Sequence, residues 1–323
     1  MHYRPPTPEE RRRAVAALKA LLADEDPDLT GLPLQLLTGL DTAGHRFTLL
    51  ADAPAAALQS ALCAGLVAPP DRPGSPPQPT HSTATNQPTT PPDHPSSPPQ
   101  PTHPTATNQP TTDPAPSRAR HHRPASTPPR PHPADPPDGS PHLAPAHLLP
   151  ATPGWGLIAL HSSPTLLIEV PHPDSDRFTA RLGLALFHAI PDAALLVAGA
   201  HRRHADVAHD AGSLFHAFAQ TLGTTELQLH GFAATSAPGT DAVLSAGAGR
   251  PTGLHRTLTK TLTHQGFRVR HHEHLAGRTN AQGIAAATRG SPFLHLELAP
   301  IPRSHRRDRV VKAITDAWHQ QGH

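Results

Sequence analysis

Two imidazoles and two carboxylates stand at the ends of apolar runs in the C-terminal half of the chain. His172 and Asp176 follow the run in LLIEVPHPDSD, His230 closes LQLHGF, and Glu297 lies in FLHLELA. Strand ends are where α/β proteins place their chemistry, because side chains there leave the packed sheet and reach a crevice. Two histidines and a short carboxylate form a ligand set for zinc, and a further carboxylate can move protons beside it. Glu169, one residue before the end of the first run, is a second ligand candidate unless it points to the other side of its strand.

Further groups surround this set. The stretch AGAHRRHADVAHD carries Arg202, Arg203 and His209 after a buried run, and cations there suit an anionic substrate or a developing oxyanion. LAGRTNAQG supplies Arg278, Asn280 and Gln282, which suit recognition of a carboxylate or amide. Each has a plainer reading. Asp176 also fits a helix N-cap, as does Asn280. His172 fits a surface loop, His230 the edge of a core, and the arginines a solvated loop with ordinary ion pairs. Glu297 is harder to dismiss. Period-two alternation sends Phe293, His295 and Glu297 to one face of a strand and Leu294, Leu296 and Leu298 to the other. A carboxylate in a buried strand is costly unless paired or used.

These residues need strands and helices to position them. From Trp155 onward the pattern alternates: strands over GLIAL and TLLIEV, a helix over Asp176–Ala189, a strand over AALLVAG and a helix over Ser213–Leu222. Strands over LQLHGF and DAVLSAG follow, then a helix over Leu254–Thr263, strands over FRVR and PFLHLEL, and a helix over Arg307–Gln320. This order predicts an α/β, three-layer domain around a mostly parallel or mixed sheet. Residues 1–68 form a small N-terminal α+β segment. It has an amphipathic helix over 8–23, two short strands around a turn at Thr42-Ala43-Gly44, and a second helix over Ala55–Leu66. It either packs on the C-terminal domain or stands as its own module.

Composition separates the two parts. Of the 43 prolines, 27 fall between Pro69 and Pro150, a stretch without Phe, Tyr, Trp, Ile, Val, Met or Cys. Such a segment buries too little apolar surface to offset the entropy of ordering it, so 69–153 is expected to be a disordered, low-complexity linker. SPPQPTHSTATNQPTT at Ser75 recurs as SPPQPTHPTATNQPTT at Ser97, a 22-residue duplication. SPPQP is also a conceivable ligand for a proline-recognition domain. Residues 154–323 have the length of one domain with its own core. The formal charge of +2 and the scarcity of aromatics argue against a nucleic-acid partner. No run is long and apolar enough for a membrane span or signal peptide, and Cys63 is the only cysteine. The expected setting is cytoplasmic.

The order of the polar groups resembles the zinc carboxypeptidase superfamily, with a closer likeness to its amidohydrolase branch, the poly-γ-glutamate hydrolase and N-formylglutamate amidohydrolase type. GRTNAQG followed by FLHLEL looks like that branch's ending, and the likeness spans about residues 165–303. It implies Zn²⁺ on His172, Asp176 and His230, with Glu297 as general base. It also implies Arg202 at the oxyanion, and Arg278, Asn280, Arg203 and His209 around a small-molecule or peptide-like substrate. The implied activity is hydrolysis of an amide or peptide-like bond in a carboxylate-bearing substrate. Departures are specific: His172-x-x-x-Asp176 replaces the family's His-x-x-Glu, Asp206-Val-Ala-His209 replaces an Asp-x-Asn-Arg-like core, and Tyr3 is the only tyrosine. The competing expectation is a non-catalytic binding domain tethered to an N-terminal interaction module.

Overall fold

The computed structural model describes residues 3–40, 44–52 and 155–322. The helix expected over Ala55–Leu66, the Pro-rich segment with its duplication, and most of the Thr42-Ala43-Gly44 turn lie outside the described residues. The strands are β1 (Leu34–Leu40), β2 (Arg46–Asp52), β3 (Gly156–His161), β4 (Leu166–Val170), β5 (Ala193–Ala198), β6 (Thr225–Gly231), β7 (Ala242–Ser245), β8 (Val269–Arg270) and β9 (Phe293–Leu298). They form one mixed sheet in the order β1-β2-β3-β5-β4-β6-β9-β7-β8. The pairs β4/β5, β4/β6, β6/β9 and β7/β8 are parallel and the rest antiparallel.

Helices cover both faces, giving the three layers. On one side α2 (Thr179–Ala189), α4 (Gly253–His264) and α7 (Arg307–His319) pack their Leu, Val and Ile side chains against Ile168, Leu195, Leu227, Leu229, Leu294 and Leu296. On the other, α1 (Pro8–Leu22) and α3 (Leu214–Leu222) pack Ala14, Leu18, Phe215 and Phe218 against Leu50, Ile158, Leu167 and Leu196. Also present are α5 (Ala281–Arg289) and the short α6 (Pro300–Arg303). The N-terminal strands extend the common sheet: β2 pairs antiparallel with β3 from Phe47 opposite His161 to Ala51 opposite Leu157. Helix α1 starts in a capping box. Thr7 Oγ1 accepts from Glu10 N at 3.2 Å, Glu10 Oε2 accepts from Thr7 N at 2.7 Å, and Pro8 takes the first helical position.

Two features of this topology set up the crevice. The chain leaves β4 toward β5 on one side and leaves β6 toward β7 on the other. Neighbouring β4 and β6 therefore flank a switch point, where crevices open at the carboxyl ends of strands. Alternation along β6 and β9 is also sharply divided. Leu227, Leu229, Leu294, Leu296 and Leu298 face one helix layer. Glu226, Gln228 and His230, paired in register with Phe293, His295 and Glu297, face the other.

Candidate metal centre

The centre is built where β4 and β6 end. After Val170, Pro171 and Pro173 bracket His172, and all three are buried. The next residues form one hydrogen-bonded turn, with Asp176 N donating to His172 O at 2.8 Å. That turn brings positions i and i+4 together. It also corrects the expected helix start. Helix α2 begins at Thr179 rather than Asp176, because Phe178 sits at φ 74° and interrupts the helical run. Thr179 Oγ1 then donates to Asp176 O at 2.7 Å, and the Asp176 side chain is left to turn inward rather than cap.

Three polar atoms converge there. His172 Nδ1 lies 3.2 Å from His230 Nδ1, His230 Nδ1 lies 3.2 Å from Asp176 Oδ2, and His172 Nδ1 lies 3.5 Å from the same oxygen. All three residues are at least nine-tenths buried. Each ring has a partner on its far nitrogen: His172 Nε2 is 2.7 Å from Asp206 Oδ1, and His230 Nε2 is 2.9 Å from Gln228 Oε1. Carboxylate and amide oxygens only accept, so these contacts are served by a proton on each Nε2, while Asp176 Oδ2 is a competing acceptor beside both Nδ1 atoms. Burial lowers the pKa of His230 and favours its neutral form. Burial also works against an ionised Asp176, but hydrogen bonds from both histidines outweigh it and hold that carboxyl well below the usual range. With both rings in the Nε2–H form, two lone pairs and an anionic oxygen face one point. Their separations match the edges of a tetrahedron around a cation with ligand distances of about 2.0–2.1 Å. The residues present fit a metal ion, and Asp206 and Gln228 on the two Nε2 atoms are outer partners of the kind that orient metal-binding imidazoles.

Glu297 stands beside this cluster, in register with His230 on the neighbouring strand. One metal-capable atom from each of His230, His295 and Glu297 lies within 4.8 Å of the others. Burial first, then the charge of Asp176, pushes the Glu297 carboxyl up to about 8. Its Oε2 is buried without a hydrogen-bond partner, as is His295 Nδ1. Burial holds the His295 pKa well below that of a free imidazole.

The remaining expected site residues divide. Arg202 donates to Asp206 Oδ2 at 3.2 Å and so reaches the rim through that carboxylate. His209 spans two loops, with Nδ1 3.3 Å from Asp206 Oδ1 and Nε2 3.2 Å from Thr279 Oγ1. Asn280 is buried and donates to Gln228 Oε1, so it braces the amide behind His230. Arg203 is exposed, and only its backbone N–H is placed, donating to His201 Nδ1 at 3.1 Å. Arg278 forms an exposed ion pair with Glu273 and lines a separate cavity of about 260 Å³. Glu169 lies one layer behind the centre, bonded to Gln228. Asp206 stood in the sequence only as part of the Asp206-Val-Ala-His209 stretch, and Gln228 and Arg303 were not singled out by sequence reasoning. Gln228 was discoverable, since it precedes His230 by two on the same strand face. Arg303 was not: its guanidinium donates to the carbonyls of Arg177, Phe232 and Leu298, contacts that only the fold creates.

The fold and cluster define a mixed α/β sandwich with a His–Asp–His group at its switch point. In overall fold it is similar to a bacteriophage poly-gamma-glutamate hydrolase, with a TM-score of 0.37 and 14% identity over 49% of this chain and 84% of that one. It is similar too to N-formylglutamate amidohydrolase from Ralstonia eutropha JMP134, with a TM-score of 0.37 and 14% identity over 50% of this chain and 96% of that one. No protein-family model and no curated protein matches the chain. At these values the likeness is one of coarse fold, and the functional reading rests on the side chains.

Proposed function

We propose that this protein is a zinc-dependent hydrolase of an amide or peptide-like bond, with His172, Asp176 and His230 as ligands. The observation that carries the reading is the mutual 3.2–3.5 Å spacing of two imidazole nitrogens and a carboxylate oxygen, all buried and all turned toward one point. Zinc held there would polarise a carbonyl and lower the pKa of water. Glu297 is the proton-transfer group: one of its oxygens lies within 4.8 Å of a His230 ring nitrogen, its Oε2 has no hydrogen-bond partner, and it takes a proton and returns it to the leaving nitrogen. A cation nearby draws its raised pKa back down, toward the range in which a base both accepts and releases. Asp206 holds Arg202 at the rim, where the guanidinium can meet an anionic part of the substrate. This contact and the sequence resemblance support the reading of a carboxylate-bearing substrate.

The test is metal analysis with variants. Wild type should bind one zinc per chain, and His230→Ala should lose it. Glu297→Gln should keep the zinc and lose turnover of amide substrates. Wild-type zinc content in His230→Ala, or full turnover in Glu297→Gln, overturns the assignment.

A further inference from the structure

We propose that a single loop sets the ring tautomers of both histidines: Asp206 acts directly on His172, and the Val207 carbonyl acts on His230 through the positioning residues Gln282 and Gln228. This rests on the zinc reading above and adds the device that prepares the site.

The argument follows hydrogen-bond direction. A backbone carbonyl can only accept, so Val207 O, receiving Gln282 Nε2 at 3.0 Å, fixes which way the Gln282 amide faces. Gln282 Oε1 then accepts from Gln228 Nε2 at 3.2 Å, and the same nitrogen donates to Glu169 Oε2 at 2.9 Å. Both donors of Gln228 are thereby used. Its Oε1 is turned toward His230 Nε2 at 2.9 Å, where Asn280 Nδ2 also donates to it. An acceptor at that position favours the His230 proton on Nε2 over Nδ1, where Asp176 Oδ2 at 3.2 Å competes for it, and so turns the Nδ1 lone pair to the point shared with His172 and Asp176. For His172 the acceptor is Asp206 itself, at 2.7 Å from Nε2.

Burial makes this direction binding. Val207, Gln282, Gln228 and His230 are 4%, 1%, 0% and 5% exposed, so solvent cannot stand in for a missing partner or screen a reversed dipole. Flipping either amide would set acceptor against acceptor at one link. Two consecutive loop residues thus prepare two ligands that are 58 residues apart in the chain. Outer partners of this kind are worth roughly 10- to 100-fold in metal affinity.

The test uses the full-length protein. In metal-free wild type, long-range ¹H–¹⁵N spectra of the histidine rings should show His230 protonated at Nε2. Gln282→Met and Gln228→Met keep similar volume but carry no amide. Both should shift His230 toward the Nδ1–H form and weaken zinc binding, roughly 10-fold for the remote Gln282 and up to 100-fold for Gln228. A His230 ring protonated at Nδ1 in wild type, or wild-type zinc affinity in both methionine variants, overturns the relay. Failure of wild type to bind zinc while His230 shows the Nε2–H form overturns the metal reading and leaves the relay standing. The tautomer measurement needs neither metal nor a variant that folds.

Discussion

Replacing Glu297 by glutamine should stabilise the metal-free protein at alkaline pH while removing its activity. In the folded chain the carboxyl is pushed from 4.5 up to about 8, by burial and then by Asp176. The unfolded chain releases the same proton near the ordinary value. Between those two values the folded state holds a proton that the unfolded state has lost. The contribution of this group is therefore complete at low pH and declines as pH rises through the window. At about 1.36 kcal/mol per pH unit the ceiling is about 5 kcal/mol. Rotation of the carboxyl and entry of water reduce such values, so about 1–3 kcal/mol is expected. Glutamine mimics the neutral acid and cannot ionise. Thermal and urea unfolding in chelator should give equal stabilities near pH 5, and a variant ahead by about 1–3 kcal/mol near pH 8.5. That difference is a Tm gain of a few to roughly 10 °C. Added zinc should narrow the gap, because a cation favours the carboxylate. Parallel pH–stability curves for the two proteins would refute the reasoning, as would a variant that is weaker at high pH.

Two further perturbations probe the supports of the site. Arg289→Met removes the cation bonded to Glu226, a fully buried carboxyl that burial already holds at about 8. Stranding it should cost about 3–5 kcal/mol by chemical denaturation when ionised. The loss should be smaller near pH 5.5, where the carboxyl is neutral, and greater near pH 8.5. Gly277→Ala meets two obstacles: φ is +59°, and an added Cβ would lie 2.4 Å from His295 Cδ2. A loss of about 1–3 kcal/mol is expected from the backbone alone, together with weaker zinc binding as His295 is driven toward His230. Calorimetry and metal titration of the variant check both parts.

What the sequence revealed and what it hid follow from the range of each signal. Period-two alternation in FLHLEL is local, and it correctly placed His295 and Glu297 on one face. The alternation of strands and helices likewise anticipated the layers, since each element carries its own apolar stripe. The spacing of His172 and Asp176 looked anomalous because the hydrogen-bonded turn that joins them leaves no mark in a helix-like pattern. Arg278 and Asn280 are two residues apart and read alike, yet one pairs with Glu273 at the surface and the other is buried behind His230. That separation depends on where the preceding loop exits, which is a property of the assembled sheet. The amide relay was equally hidden, because glutamines in strands and helices have no distinctive spacing and their meaning comes from partners 54 and 75 residues away.

The junction of β2 with β3 has a consequence for the integrity of the molecule. These neighbours meet along five paired residues, although about a third of the chain separates them in sequence. Helix α1 and the β1–β2 ribbon are therefore fastened to the rest by backbone ladder and apolar contact as well as by peptide linkage. A protease that cut anywhere between the two strands would yield fragments that still copurify, and separately produced halves should complement one another into a working whole.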